Sequence, residues 1–312
     1  MISIAIPCYR SSKTIRKVVE DVRACMQKHG LEYQFVLVND GSVDDTFEEI
    51  KALCKEDSNI VGVNFSKNYG QHAARLAAIP YIRGDYVVYM DDDGQHPADG
   101  VIALYEKIKE GYDVVYANFP QKKHNGLKKI ASKINTATLS MLADKPKNIR
   151  NSSFSIMRSY VLHEMRHYRS PYPSWTGFVV QITRNITDVE LDHQDRIAGE
   201  SGYSFKKMAK LYANSVTGFS IIPLRIASIL GFVTAGAGFI SGLVFIIRRL
   251  LNPHMPVGYA SLMSALFLLT GVLMLILGLV GEYVGRIYMT ISGMPQYTVK
   301  EVVNDKGNEQ RE

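Results

Sequence analysis

The chain is poor in cysteine and nearly devoid of tryptophan, with three cysteines and one tryptophan among 312 residues. Cys8, Cys25 and Cys54 are odd in number, and no two of them have CxxC spacing. This pattern argues against a disulfide framework or a zinc site and is typical of reduced cysteines in the cytosol. The stretch from Met1 to Pro7 lacks the length and the basic start of a signal peptide, so we expect the fold to begin there directly.

The charge balance narrows the class of partner. A net charge of +6 favours anionic partners, namely nucleotides, phospholipid surfaces or nucleic acid. We expect no nucleic acid, because no recognition-helix or RNA-binding motif is present and much of the positive charge flanks two long apolar runs.

Short apolar runs alternate with helical patterns as far as Ala117, which predicts an α/β fold with a mostly parallel, Rossmann-like sheet and helices on both faces. The predicted strands are Ile2–Pro7, Phe35–Val38, Ile60–Val63, Tyr86–Met90 and Val114–Ala117. The predicted helices are Lys13–Lys28, Asp44–Leu53, Gln71–Ile82 and Pro97–Lys109.

Three carboxylates follow the fourth predicted strand, where an open α/β sheet places its ligands. Asp91 and Asp93 alternate along an extended segment, so both side chains can point the same way. Oxygen ligands of this kind favour Mg²⁺ or Mn²⁺, which typically bind substrate phosphates as well. The alternative is an acidic turn that caps the following helix.

The last part of the chain contains two uncharged apolar runs, residues 226–247 and 257–281. Each exceeds the ~20 residues that cross a bilayer, and the short turn between them predicts a hairpin with both termini on one side. Basic residues near the runs place that side in the cytosol, although Arg248 and Arg249 lie in the opposite flank. Residues 203–218 mix lysines with apolar residues, which predicts an amphipathic helix at the membrane surface or an ordinary core helix. The basic stretch 120–133 is either a solvated face or a lid for a phosphate-bearing substrate.

Several motifs together resemble a known family. These are Ile4-Ala5-Ile6-Pro7-Cys8-Tyr9, Val38-Asn39-Asp40-Gly41-Ser42, Lys67-Asn68-Tyr69-Gly70, Met90-Asp91-Asp92-Asp93-Gly94-Gln95-His96-Pro97, residues 193–204, and Gly281-Glu282-Tyr283-Val284-Gly285-Arg286. In this order they resemble the family 2 inverting glycosyltransferases with the GT-A fold, and more narrowly the polyprenyl-phosphate glycosyltransferases. The resemblance implies transfer of a sugar from a nucleotide diphosphate, most often a UDP-sugar, to a polyprenyl phosphate such as undecaprenyl phosphate. It further implies a bacterial inner-membrane protein of the cell envelope, which we expect to be a homo-oligomer.

The resemblance also implies roles for individual residues. Asp91, Asp93 and Gln95 would hold Mg²⁺ or Mn²⁺, and Asp93, Asn151 and Arg196 would act in catalysis. The residues implied in binding the nucleotide sugar are Pro7, Tyr9, Asp40, Lys67, Asp91, Asp92, Gln95, Ser201 and Tyr203.

Two departures from the family pattern bear on activity. Arg10-Ser11-Ser12 replaces an Asn-Glu-Glu segment, and Asn151 stands where relatives carry an aspartate. Asn151 cannot act as a base, but an acceptor phosphate is already ionised at neutral pH, so we expect Asn151 to position a substrate.

We therefore expect four segments: a GT-A domain over residues 1–202, an amphipathic juxtamembrane helix over 203–222, a two-helix transmembrane hairpin over 223–283, and a cytosolic C-terminal segment over 284–312. Two other functions are also compatible with the sequence. A processive polysaccharide synthase would normally carry a Gln-x-x-Arg-Trp motif and more spans, and Trp175 lacks that context. A non-catalytic membrane adaptor is disfavoured by the presence of Asp40, Asp91 and Asp93.

Overall fold

The computed structural model describes residues 1–119, 152–166, 175–192, 222–251, 258–293 and 295–305. The chain divides into two compact units. One comprises residues 1–212 together with 294–312, and the other comprises residues 213–293.

The first unit is built on an eight-stranded sheet of order β7-β5-β6-β4-β1-β2-β3-β8. Four strand pairs are parallel, whereas β6 and β8 run antiparallel to their neighbours, so the predicted mostly parallel sheet is confirmed. The strands are β1 (Ile2–Cys8), β2 (Tyr33–Asn39), β3 (Ile60–Phe65), β4 (Tyr86–Tyr89), β5 (Val114–Asn118), β6 (Ser155–Arg158), β7 (Ile186–Glu190) and β8 (Val299–Val303).

Helices cover both faces of the central strands, as expected for a buried parallel sheet. Along β1 the side chains alternate, so that Ile4 and Ile6 pack toward one face and Ala5 toward the other. The described helices of this unit are α1 (Ile15–Lys28), α2 (Thr46–Glu56), α3 (Gln71–Ala78), α4 (Ala98–Lys109), α5 (Ser159–Met165) and α6 (Trp175–Ile182). Helices α1, α2 and α4 lie on the first face, and α3, α5 and α6 lie on the second.

The strand β8 comes from the far end of the chain and was not predicted. It pairs antiparallel with β3, with Val303 opposite Gly62 and Val299 opposite Phe65. This pairing covers a sheet edge whose backbone groups would otherwise be open to another chain. Strands β6 and β7 were also absent from the prediction, because polar residues interrupt both and neither contains an apolar run like those of the predicted strands.

The second unit contains two long helices, α7 (Ile222–Leu251) and α8 (Tyr259–Ile291). Residues 227–244 and 268–291 are long and apolar enough to cross a membrane, judged by length and composition. Of the residues in these two stretches, 6% and 0% are buried within the protein. Large apolar side chains point outward, such as Phe232 at 83% and Leu250 at 77% exposure. So much exposed apolar surface is unusual for a soluble protein and typical of a lipid-facing one.

We expect His72 on α3 to make the stability of the fold depend on pH. Its Nδ1 is buried without a hydrogen-bond partner among the described residues. Burial, and secondarily the charge of Arg75, lowers the pKa of His72 from 6.5 to about 4. The unfolded chain therefore takes up a proton below about pH 6.5 while the folded chain does not. The stability contributed by neutral His72 is lost as the pH falls from about 6.5 to about 4, by ~3 kcal/mol in total.

We expect the variant His72→Asn to lose less stability than the wild type between about pH 7 and about pH 4.5. Thermal unfolding in mild detergent, followed by circular dichroism at both pH values, measures the difference. His163→Asn, at an exposed position on α5, is the control and should behave as wild type. An equal acid-induced loss in His72→Asn and wild type would contradict this account.

Candidate active site

Strands β1, β2 and β4 end at the same edge of the sheet, and the functional motifs follow these ends. β1 lies between β2 and β4, so the strand order reverses beside it. In open α/β sheets a ligand binds at such a switch point, outside the carboxyl ends of the strands. Tyr9, Asp40 and Asp91 all lie within two residues of a strand end at this edge.

A hydrogen bond joins the ends of β1 and β4. The backbone N–H of Tyr9 donates to Oδ2 of Asp92 at 3.0 Å. Burial raises the pKa of Asp92 to about 6, the charge of Asp91 adds to this, and hydrogen bonds from Tyr9 and Ser11 oppose it. Tyr9 is 46% exposed as a residue, and the guanidinium of Arg10 lies over its ring, 5.4 Å from the ring centre.

The carboxylate of Asp40 holds the loop that follows β3. The N–H of Tyr69 donates to its Oδ1 at 2.7 Å, and the N–H of Gly70 donates to its Oδ2 at 2.9 Å. Asp40 itself is only 3% exposed, and burial raises its pKa while the two N–H groups oppose that rise. The predicted contact between Asp40 and the nucleotide sugar stays a prediction, to which the structure adds a role in holding this loop.

The loop of residues 66–70 passes close to Gly41, the residue after Asp40. Gly41 has φ +61, and a Cβ built on it would collide with the backbone of Lys67 and Asn68. A residue without a Cβ is therefore required where the two loops meet. In the same loop, the Lys67 side chain is exposed, with its Nζ 5.1 Å from the centre of the Tyr69 ring.

Asp91 receives hydrogen bonds from two other elements. Nε2 of Gln71, the first residue of α3, donates to Oδ1 at 2.6 Å, and Oγ of Ser153 donates to Oδ2 at 2.6 Å. Nη2 of Arg75 lies 3.8 Å from Oδ1 of Asp91 and donates to the carbonyl oxygen of Ser153 at 3.1 Å. The orientation of this carboxylate is thus set by side chains from α3 and from the segment before β6.

The imidazole of His96 supports the same strand end. Its Nδ1 accepts the N–H of Asp91 at 3.0 Å, so the neutral ring carries its proton on Nε2. The ring is stacked on Phe154 with centroids 4.7 Å apart and an interplanar angle of 10°. The prediction had His96 only as a neighbour of the carboxylates, and it had no site role for Gln71, Arg75 or Ser153. Only Gln71, which follows the Lys67–Gly70 motif directly, and Ser153, two residues after Asn151, gave a signal by their position in the sequence.

The oxygen donors at this edge suit a hard divalent cation. Asp93 lies in the turn after Asp91, where its Oδ1 accepts the N–H of Gln95 at 3.1 Å. Within the described residues, no group of three or more His, Cys, Asp or Glu side chains is placed to hold a metal. Mg²⁺ and Mn²⁺ need no such cluster when one or two carboxylates are supplemented by substrate phosphates and water. The side chains of Asp91, Asp93 and Gln95 therefore fit a metal that is shared with a substrate.

The remaining predicted site residues divide into two groups. Pro7 is buried within β1, where it pairs with Val38 of β2. Outside the described residues lie Asn151, Arg196, Ser201, Tyr203, the basic stretch 120–133 and the predicted amphipathic helix.

A mostly parallel sheet with acidic residues and a helix N-terminus at its switch point is the architecture of nucleotide-dependent α/β enzymes. Residues 3–166 match the model of glycosyl transferase family 2, and residues 222–287 match the GtrB C-terminal hairpin. The chain belongs to glycosyltransferase family 2 and is a transferase with the predicted GT-A fold. The predicted resemblance to the polyprenyl-phosphate glycosyltransferases is confirmed by these two matches and by the relatives.

Two relatives match nearly the whole chain. The "Uncharacterized glycosyltransferase YkcC" of Bacillus subtilis (strain 168) is 32% identical over 96% of this chain and 93% of its own length. The "Undecaprenyl-phosphate 4-deoxy-4-formamido-L-arabinose transferase" of Shewanella sediminis (strain HAW-EB3) is 31% identical over 97% of this chain and 92% of its own length.

Among solved structures, glucosyl-3-phosphoglycerate synthase from Mycobacterium tuberculosis shares the fold. One crystal structure of it, in complex with Mn²⁺, uridine-diphosphate-glucose and phosphoglyceric acid, superposes with a TM-score of 0.52 at 16% identity. The match covers 70% of this chain and 77% of that one.

The close approach at Gly41 leads to a stability test. We expect Gly41→Ala to destabilise the protein by ~2–4 kcal/mol, because backbone strain at positive φ adds to the collision with loop 66–70. Gly30→Ala is the matched control, since Gly30 has φ +63 and a Cβ there would meet nothing within 4 Å. It should cost only the strain, ~1–2 kcal/mol. Chemical denaturation compares the two variants, and equal losses would show that the collision is absent.

Proposed function

We propose that the protein is an inverting glycosyltransferase that moves a sugar from a nucleotide diphosphate to a polyprenyl phosphate at the cytosolic leaflet of a bacterial inner membrane. The observation that carries the proposal is the combination of two features in one chain. These are the acidic site at the sheet edge and the hairpin that matches the GtrB model. The name of the Shewanella relative supports undecaprenyl phosphate as the acceptor.

Asp91, Asp93 and Gln95 are the residues that would hold Mg²⁺ or Mn²⁺. When bound, the metal would neutralise the diphosphate as it leaves the sugar. The Mycobacterium tuberculosis synthase was crystallised with both Mn²⁺ and a UDP-sugar, which supports this pairing and favours a UDP-sugar here. Gln71 and Ser153 would keep the Asp91 carboxylate oriented for this task.

The nucleotide would lie along the ends of β1 and β2. Tyr9 and Lys67 are exposed to solvent near these strand ends. The loop that Asp40 holds lies beside them. Asp92 would act by holding Tyr9 in place. Pro7, Ser201 and Tyr203 stay predicted contacts from the motif alone.

The acceptor is a phosphate that is ionised at neutral pH, so the reaction needs no general base to activate it. Asn151 would orient this phosphate or a sugar hydroxyl through its amide, and Arg196 would contact a phosphate with its planar guanidinium. The segment after Asn151 is anchored, because Ser153 bonds both to Asp91 and to Arg75.

We expect Asp93→Asn to lower transfer ~100-fold or more, which corresponds to the several kcal/mol that a metal supplies. Membranes containing the protein are offered a panel of nucleotide sugars with undecaprenyl phosphate, and the lipid-linked product is scored. Asp21→Asn, at an exposed position on α1, is the control and should retain activity. Chelation with EDTA should abolish transfer reversibly.

Three outcomes would count against parts of the proposal. Full activity in excess chelator would exclude the metal role. Product that is a growing polysaccharide would favour a processive synthase. No product with any donor, despite intact folding, would favour a non-catalytic adaptor.

The hairpin predicts the placement of both termini. Tags at Met1 and Glu312 should both be protected from protease in intact cells, and a cysteine introduced at His254 should react with an impermeant thiol reagent. The native cysteines are buried, so they contribute little background. Lys300→Cys, exposed on β8, is the control and should react only after lysis. Labelling at Lys300→Cys in intact cells would refute this topology.

We also propose that the protein forms a homo-oligomer. Mass photometry in nanodiscs measures the oligomeric state, and a monomer would refute this proposal.

A further inference from the structure

The C-terminal tail, defined here as residues 295–305, contacts the loop that Asp40 holds. The N–H of Ser66 donates to the carbonyl oxygen of Thr298 at 3.1 Å. The hydroxyl of Tyr69 donates to Oγ1 of Thr298 at 3.0 Å. Tyr297 stacks on Phe65 with centroids 5.3 Å apart and an interplanar angle of 16°. The tail therefore contacts both ends of the segment from Phe65 to Tyr69.

The far end of the tail is fixed independently of this loop. Nδ2 of Asn304 donates to the carbonyl oxygen of Ile60 at 2.7 Å, at the beginning of β3. Asn304 has φ 62, a conformation that asparagine tolerates better than most residues. Midway along β8, Glu301 forms an ion pair with Lys51 at 3.4 Å. The bond from Asn304 and the backbone pairing with β3 thus hold β8 in place, whereas an exposed ion pair such as Glu301–Lys51 adds little.

Loop 66–70 is thus held between two partners. On one side the Tyr69 and Gly70 N–H groups bind the carboxylate of Asp40. On the other side the Tyr69 hydroxyl and the Ser66 N–H bind Thr298. Tyr69 takes part in both sets of contacts, so its backbone position depends on the tail as well as on Asp40.

We propose that the tail is a positioning element for loop 66–70, with Thr298 and Tyr297 as the positioning residues. The proposal rests on the proposed function in one respect, namely that this loop borders the nucleotide. Removing the Thr298 hydroxyl takes away the bond between Tyr69 and the tail and leaves Tyr69 with Asp40, the Ser66 hydroxyl and the edge of the Phe65 ring. The loop then samples more conformations, and the nucleotide binds less tightly because its contacts are less preorganised.

The position of the tail in the chain gives this support a further consequence. Residues 292–298 connect α8 to β8, so the strand that supports the loop is made after both long helices. The nucleotide-binding loop of the first unit therefore gains its full support only once the hairpin has been synthesised.

The direct test is hydrogen exchange at the amides of Tyr69 and Gly70 in the full-length protein. Thr298→Val keeps the side-chain volume and removes the hydroxyl, and we expect it to accelerate exchange roughly three- to tenfold, as for the loss of one hydrogen bond. Thr298→Ser restores a hydroxyl and should restore protection. Glu301→Gln removes an ion pair of the same strand away from the loop and should leave exchange at these amides unchanged. Unchanged exchange in Thr298→Val, or equal acceleration in Glu301→Gln, would overturn the proposal.

The second readout is the affinity for UDP in the presence of Mn²⁺, measured by calorimetry. We expect Thr298→Val to raise the Kd by a similar factor and Glu301→Gln to leave it unchanged. Faster exchange with an unchanged Kd would overturn the link to the nucleotide. Absence of UDP binding by the wild-type protein would count against the proposed nucleotide site, whereas the exchange measurement decides the contact between tail and loop by itself.

Discussion

This edge of the sheet depends on the hydrogen bonds that the carboxylate of Asp40 accepts from Tyr69 and Gly70. Asp40 stands at the end of β2, almost fully buried, and accepts two backbone N–H groups from the loop before α3. Gly70 precedes the first residue of α3, so one of these N–H groups belongs to a helix N-terminus, where a negative charge is favoured. The bonds offset part of the burial cost that raises the pKa of Asp40. They also place loop 66–70 against Gly41 on one side and the C-terminal strand on the other.

Three adjacent aspartates coexist because each is held by a different part of the protein. Asp91 binds side chains from α3 and from the segment before β6, Asp92 binds the backbone of Tyr9, and Asp93 binds the backbone of its own turn. The negative charge of each aspartate is stabilised by its own hydrogen-bond donors, which offsets the repulsion among the three carboxylates. The arrangement leaves each carboxylate with a defined orientation, which a metal shared with a substrate requires.

Among the residues that the structure describes, Arg75 is the buried cation next to this acidic edge. It is 4% exposed, and its guanidinium lies 5.6 Å from the ring centres of both Tyr89 and Trp175. Its contacts reach Asp91 and the carbonyl oxygen of Ser153, so one side chain joins α3, the end of β4 and the segment before β6. A buried charge needs such partners, because unpaired burial costs several kcal/mol. The same charge helps keep His72 neutral.

The elements that depend on local pattern could be predicted from the order of the residues. Apolar periodicity located the first five strands and the four helices between them, and the ordered motifs indicated family 2, since both signals act over a few residues. Contacts between groups far apart in the chain became visible only in the folded protein. The sequence of residues 299–303 does not indicate that they pair with β3. An arginine on α3 likewise does not indicate a contact with Asp91. Such contacts join segments far apart in the chain, and their free energy comes from burial and hydrogen bonds that exist only after the sheet has assembled.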